Sequence, residues 1–388
     1  MNLTPYIPYL KNIKTPFYFY DTFFLESHLK KVKKAAEKFG YHIHYALKAN
    51  ANDKILHIFN QLDFGADCVS GNEVKKAIEI GISPKKIAFA GVGKTDEEII
   101  YALNQDIFSF NCESIAELNV IQNIAAKLNK KAPVSLRINP NVDANTHRYI
   151  TTGLEENKFG INQWEFDTII EIIKNSPNLD LQGLHFHIGS QITDMQVFKN
   201  LCSRVNEIQK WFYNHNIALP HLNLGGGLGV DYENPENINF PDFDKFFNIF
   251  NSHLDKIAGQ QIHFELGRSL VAQAGVLISK VLYIKNGINT NFAIIDAGMT
   301  ELIRPALYQA YHKIMPLENK NTENNIERYD IVGPICESSD TFAKSILLPK
   351  LNRDDLLVIF TAGAYGEVMA SRYNLRDLPK AYYADEFS

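Results

Sequence analysis

Short apolar runs alternate with helix-period patterns over most of the chain. Residues 15–20 form an apolar, aromatic run of strand character. Residues 23–39 then carry apolar side chains at helical spacing as far as Gly40. From His42 onward, strand-like runs occupy 42–47, 65–69, 87–90, 107–110, 134–138, 183–187, 221–224 and 262–265. Helical patterns at 72–80, 96–103, 113–128, 164–173, 196–213 and 243–257 separate most of them. Eight strands alternating with helices predict an α/β fold, a (β/α)8 TIM barrel. A doubly wound open sheet is the rival, since alternation alone does not close a barrel.

After Glu265 the pattern changes. Residues 276–284, 292–296, 327–332 and 355–360, and the region of Tyr382, are strand-like and joined by loops with little helix between them. This predicts a C-terminal β-rich domain. The expected division is 1–25 as an N-terminal strand joining the β domain, 26–270 as the barrel, and 271–388 as the β-rich domain. A length of 388 residues agrees with more than one domain.

If the barrel is right, chemistry belongs at the C-terminal ends of its strands. The apolar run from Ile43 to Leu47 stops at Lys48, with Asn50, Asn52 and Asp53 as candidate caps for a helix beyond. A lysine at a strand end can form a Schiff base with a carbonyl; the alternative is a surface lysine. Strand five carries Arg137, and strand six runs into His185-Phe-His-Ile-Gly-Ser190. Strand seven ends in Gly225-Gly226-Gly227-Leu228-Gly229, and strand eight in Glu265-Leu266-Gly267-Arg268. A glycine run lets backbone N–H groups approach an anion, although it also suits a plain tight turn. No Gly-Lys-Ser/Thr follows it, so it is not a nucleoside-triphosphate loop. A strand-end lysine, an anion loop and a carboxylate together suit pyridoxal 5'-phosphate. The cofactor offers an aldehyde to Lys48, a phosphate to the glycines and a pyridine nitrogen to Glu265. His187 is either a ring-stacking residue or a core histidine.

Charge and composition narrow the partners. A net charge of -5 gives no basic footprint for nucleic acid. No apolar run reaches membrane-spanning length, and residues 1–16 lack a signal-peptide core, so a cytoplasmic protein is expected. Cys68, Cys112, Cys202 and Cys336 are far apart and show no metal-ligand spacing; reduced thiols are expected. The polar stretch 318–327 reads as an exposed loop.

Several motifs, in one order, carry a resemblance over nearly the whole chain. They are Tyr45-Ala-Leu-Lys-Ala-Asn50, Gly65-Ala-Asp-Cys-Val-Ser70, Lys158-Phe-Gly-Ile161, His185-Phe-His-Ile-Gly-Ser-Gln191 and Leu224-Gly-Gly-Gly227. They continue with Glu265-Leu-Gly-Arg268, Asp296-Ala-Gly-Met299, Ile303-Arg-Pro-Ala-Leu-Tyr308, Gly333-Pro-Ile-Cys-Glu-Ser338 and Gly363-Ala-Tyr-Gly366. The chain resembles the diaminopimelate decarboxylases, of the alanine-racemase-like (fold-type III) pyridoxal-phosphate enzymes. That resemblance implies decarboxylation of meso-2,6-diaminopimelate to L-lysine and CO2, the last step of lysine biosynthesis. It also implies residue roles. Lys48 would hold the cofactor covalently. Ser190, Gly226 and Gly227 would cradle its phosphate, His187 would stack on its ring, and Glu265 would bind the pyridinium nitrogen. Gly267 and Arg268 would also line the cofactor, and Tyr365 would touch cofactor and substrate. Arg268, Arg304, Tyr308 and Glu337 would bind substrate, and Cys336 would protonate the product carbon. The Cys336 loop would serve a partner subunit's site, which implies a homodimer with shared active sites.

Arg304 and Glu337 also carry a physical argument. A guanidinium and a carboxylate match a distal substrate group that is itself a zwitterion, whereas simple diamine precursors need only an acid. Decarboxylases of ornithine, arginine or carboxynorspermidine are the alternatives, as is a non-catalytic pyridoxal-phosphate binder. Two positions depart from the family pattern: Leu266, where proline is usual, and Glu367, where a small or apolar residue is common.

Overall fold

The computed structural model describes residues 1–142, 158–237, 240–318 and 325–387. Residues 319–324 of the expected 318–327 loop lie outside them. Strand β1 (Phe17–Tyr20) comes first, with all four aromatic side chains buried. The barrel strands follow in chain order: β2 (His42–Ala46), β3 (Gly65–Cys68), β4 (Ile87–Phe89), β5 (Ser109–Cys112), β6 (Ala132–Arg137), β7 (Leu179–His185), β8 (His221–Asn223) and β9 (Gln261–Leu266). Every neighbouring pair is parallel, and β9 pairs with β2 to close the ring. The expected closed barrel, not the open sheet, is the architecture.

Local chemistry fixes where the strand ends hand over to helices. Asn52 accepts the Lys54 N–H and starts the helix Asp53–Gln61. Ser70 caps Gly71–Ile80, Thr95 and Glu98 form a reciprocal capping box on Asp96–Asn104, and Ser114 caps Ile115–Lys127. Each of these four caps ends a loop that leaves the C-terminal end of a strand, so these four loops are short and fixed.

The remaining strands are β10 (Gly275–Lys285), β11 (Asn291–Ile295), β12 (Ile314–Pro316), β13 (Ile326–Val332), β14 (Thr341–Pro349), β15 (Leu356–Ile359) and β16 (Lys380–Tyr383). They order as β12-β15-β10-β11-β13-β14. Strand β1 joins them, antiparallel to β10 and parallel to β16, as the sequence led us to expect. The sequence pattern did not reveal β12 or β14. Strand β12 is only three residues long. In β14, Ser345 has a positive φ of 55° and the β13 register shifts, so the inside–outside alternation breaks.

The chain forms two compact units. One comprises Leu29–Gly229 and Asp242–Gly267, and the other Met1–His28, Val230–Pro241 and Arg268–Ser388. The segment Val230–Pro241, inside the range 26–270 expected to be barrel, thus belongs to the sheet unit. There its Tyr232 hydroxyl accepts a hydrogen bond from Arg268. Among the described residues no helix is long and apolar enough to cross a membrane.

Candidate active site

In the barrel unit the cluster begins at Lys48. It sits in a 3-10 turn, Leu47–Ala49, directly after β2. Its Nζ donates to Asp67 Oδ2 of β3 at 2.7 Å. Asp67 is fully buried, and its Oδ1 has no partner among the described residues. Burial and the nearby Glu265 carboxylate push its acid up, against the pull of Lys48.

Glu265, in β9, is only 4% exposed. Its Oε1 accepts from Asn111 Nδ2 at 2.8 Å and Asn223 Nδ2 at 2.7 Å. Its Oε2 accepts from His185 Nε2 at 2.8 Å. Burial opposes its ionisation, but His185 and Lys48 hold the carboxyl well below the usual carboxylate range. Two oxygens offer about four lone-pair positions, so the three donors leave room for one more. The Nδ1 of His185 is likewise buried with no partner among the described residues.

The glycine run lies against the backbone of Glu265. A Cβ on Gly226 would fall 1.9 Å from the Glu265 carbonyl oxygen, and one on Gly225 2.1 Å from that of Phe186. Gly227 has φ +95°. The backbone therefore passes where no side chain fits, which a plain turn does not require. A bridge between Ile192 and Leu228 sets this run against the loop that carries Ser190. His187 Nδ1 accepts the Gly226 N–H at 3.4 Å. Burial, with Arg137 and Lys48 adding to it, pushes the His187 pKa well down, so the ring is neutral. Gly267 is packed on the Cβ atoms of Ala46 and Ala49, next to the lysine turn. Leu266, which departs from the expected motif, ends β9 in register with Tyr45 and is a wholly buried core side chain.

In the sheet unit a second cluster forms around Tyr232. Arg268 Nη1 donates to its hydroxyl at 2.7 Å, and the Arg268 guanidinium lies 4.7 Å over the Tyr365 ring. Tyr365 has a positive φ of 55°, a conformation that side-chain-bearing residues rarely adopt. The Arg304 guanidinium lies 4.7 Å over the Tyr232 ring. Arg304 opens a short helix, Arg304–Tyr308, that ends at the half-buried Tyr308. Cys336 and Glu337 are exposed on the loop between β13 and β14, and Glu337 Oε1 accepts from Tyr373 at 2.8 Å. Glu367, unexplained in the sequence, accepts from Tyr20 at 2.6 Å and so ties β1 to the segment after Tyr365.

The pyridoxal-binding domain model of the pyridoxal-dependent decarboxylases matches residues 25–272. A diaminopimelate decarboxylase of Bacteroides thetaiotaomicron is 53% identical, with 97% of each chain covered. The chain belongs to the diaminopimelate decarboxylase family. A Helicobacter pylori member solved in complex with L-lysine superposes with a TM-score of 0.90 at 42% identity, covering 97% of this chain and 94% of that one. An arginine decarboxylase of Paramecium bursaria Chlorella virus shares the fold, with a TM-score of 0.86 at 21% identity over 98% and 99% of the two chains.

The barrel cluster fits the cofactor that this family uses. It offers an amine, a Cβ-free backbone for a phosphate, a neutral imidazole for a ring face, and an ionised carboxylate with capacity left. The orphaned Asp67 Oδ1 and His185 Nδ1 also suit a polar group that completes the cluster. Sequence reading missed Asp67, Asn111, His185 and Asn223 as members. The available signal was a polar side chain inside a barrel strand that is otherwise buried on both faces.

Proposed function

We propose that this protein decarboxylates meso-2,6-diaminopimelate to L-lysine and CO2, with pyridoxal 5'-phosphate as cofactor, as the last step of lysine biosynthesis. The observation that carries the substrate choice is Arg304, a buried guanidinium with no carboxylate within ion-pair distance among the described residues. A second carboxylate on the substrate would supply one.

Lys48 would hold the cofactor's aldehyde carbon, and Asp67 would keep the amine in place. Gly226, Gly227 and Ser190 would receive the phosphate, with Gly267 and Arg268 completing the lining. His187, being neutral, would meet the ring without adding charge. Glu265, being ionised, would keep a proton on the pyridine nitrogen. When bound, the cofactor supplies the electron sink for the pair left on the α-carbon as CO2 departs. Arg304 and Tyr308 hold the distal carboxylate, Glu337 the distal ammonium, and Arg268 and Tyr365 the nearer part of the substrate. Cys336 delivers its thiol proton to the carbon that lost the carboxylate.

Cys336 and Glu337 are exposed on one chain, which supports a homodimer in which this loop serves the partner subunit's site. An exposed thiol also suits a reducing cytoplasm.

The test is CO2 and lysine release from the purified protein with pyridoxal phosphate. The panel is meso-diaminopimelate, L-ornithine, L-arginine and carboxynorspermidine. Release from diaminopimelate alone is expected; preference for another substrate would discard the Arg304 argument. Shared sites predict complementation. Lys48→Ala and Cys336→Ser should each be inactive, and a 1:1 mixture should regain about a quarter of wild-type activity through hybrid dimers. No recovery after subunit exchange would place Cys336 in its own chain's site.

A further inference from the structure

Arg304 is held in an unusual way. A buried arginine is ordinarily matched by a carboxylate, because an isolated charge in a protein interior is costly. Here its Nη1 donates at 2.7 Å to His312 Nε2. His312 Nδ1 lies 2.8 Å from the carbonyl oxygen of Phe360. Each partner admits only one role: a guanidinium donates and a carbonyl accepts. The imidazole must therefore carry its proton on Nδ1 and present the Nε2 lone pair to the arginine. His312 is neutral in this arrangement, since a proton on Nε2 would remove the acceptor and set two cations together.

The backbone fixes this geometry. Gln309, with a positive φ of 53°, ends the short helix and turns the chain back. The Phe360 N–H donates to the Lys313 carbonyl at 2.9 Å, which fixes His312 within reach of the Phe360 carbonyl just beyond the β12–β15 pairing. Tyr232 closes another side: its ring lies under the guanidinium and meets the His312 ring edge-on at 5.1 Å. Arg304 Nε is buried with no hydrogen-bond partner among the described residues. The guanidinium is thus oriented by an imidazole, a ring face and a short helix, none of which cancels its charge.

We infer that His312 is a positioning residue for substrate selection, a neutral acceptor that aims the Arg304 guanidinium while leaving its full charge for the distal carboxylate of the substrate. The inference rests on the role given to Arg304 above. A carboxylate at position 312 would hold the arginine as firmly and spend its charge.

The experiment compares holoenzyme carrying His312→Gln, His312→Leu and His312→Glu, with retained cofactor absorbance as the check on each site. Gln keeps a neutral acceptor, and KM for meso-diaminopimelate should stay within about threefold of wild type. Leu removes the acceptor, and KM should rise about tenfold. Glu should raise KM most, about a hundredfold, because it neutralises Arg304. In each variant kcat should change much less than KM. Competition gives a readout independent of turnover. L-lysine keeps the distal carboxylate and cadaverine lacks it, so Leu and Glu should weaken inhibition by lysine and leave that by cadaverine unchanged.

Equal KM for the Gln and Glu variants, which are nearly isosteric, would overturn the inference even if the Leu variant fails to fold. So would a parallel loss of lysine and cadaverine binding, or a fall in kcat at constant KM. A wild-type enzyme that ignores diaminopimelate would instead overturn the functional reading, and this inference with it.

Discussion

Arg137 in the barrel unit and Arg304 in the sheet unit are both buried, at 6% and 5% exposure, and are handled in opposite ways. Arg137, at the end of β6, donates to Glu113 Oε1 at 2.6 Å and lies 4.7 Å over the Phe159 ring. Glu113 is completed by the backbone N–H groups of Gly91 and Gly160. That pair is closed in charge, and both Glu113 oxygens accept hydrogen bonds within the barrel. Among the described residues Arg304 meets a neutral imidazole and Tyr232, and no carboxylate. Glu265 is its counterpart of opposite sign, a buried carboxylate held by two amides and an imidazole. Burial of a charge therefore does not mark a ligand site. What marks it is a side chain fixed in place while its charge is left unmatched.

The comparison breaks most sharply at Arg137. Arg137→Met leaves Glu113 buried without its cation and should cost about 3–5 kcal/mol of stability, read by urea unfolding. Adding Glu113→Gln should restore part of that loss, because the charge left behind is then removed. A single-variant cost below about 1 kcal/mol would mean that the pair is not closed as described. Arg304→Leu should behave in the reverse sense. Stability should hold or rise, since an unmatched charge leaves the interior, while kcat/KM for diaminopimelate falls roughly thirtyfold to a thousandfold, equivalent to about 2–4 kcal/mol. A variant that loses stability yet keeps its kcat/KM would make Arg304 a structural residue like Arg137.

The sequence carried one side of this contrast better than the other. Lys48, Gly226, Gly227 and Glu265 stand in short motifs at strand ends, where local pattern and barrel position agree. The barrel itself was legible because its strands are apolar runs separated by helix-period segments. Asn111 and Asn223 were not legible. Asn111 meets Glu265 across 154 residues, and its one local sign, a polar residue in a buried strand, does not name its partner. His312 was missed for a related reason. Its meaning depends on a carbonyl brought opposite it by the pairing of β12 with β15, and β12 is too short to show in the pattern. Tyr232 was hidden by the segment Val230–Pro241, which leaves the barrel unit although the residues on either side belong to it. Arg137 sat at a strand end where catalytic residues belong, and only its partner Glu113 shows that it is structural.

The smallest expected effect tests whether His312 is neutral. Burial first, then the Arg304 and Arg268 guanidiniums, push its pKa down from 6.5 to about 3, against the hydrogen bond to Phe360 that raises it. The unfolded chain takes up this proton below pH 6.5 and the native chain does not until about pH 3. The stability tied to a neutral His312 is therefore complete above pH 6.5 and is lost as pH falls toward 3. Between pH 7 and pH 5 that loss amounts to about 2 kcal/mol. His312→Gln has no such proton to bind, so its urea midpoint should fall less than that of wild type over this interval. Parallel falls would mean that the native imidazole is already protonated at pH 5. It could not then accept from Arg304, and the unmatched charge that separates Arg304 from Arg137 would need another origin.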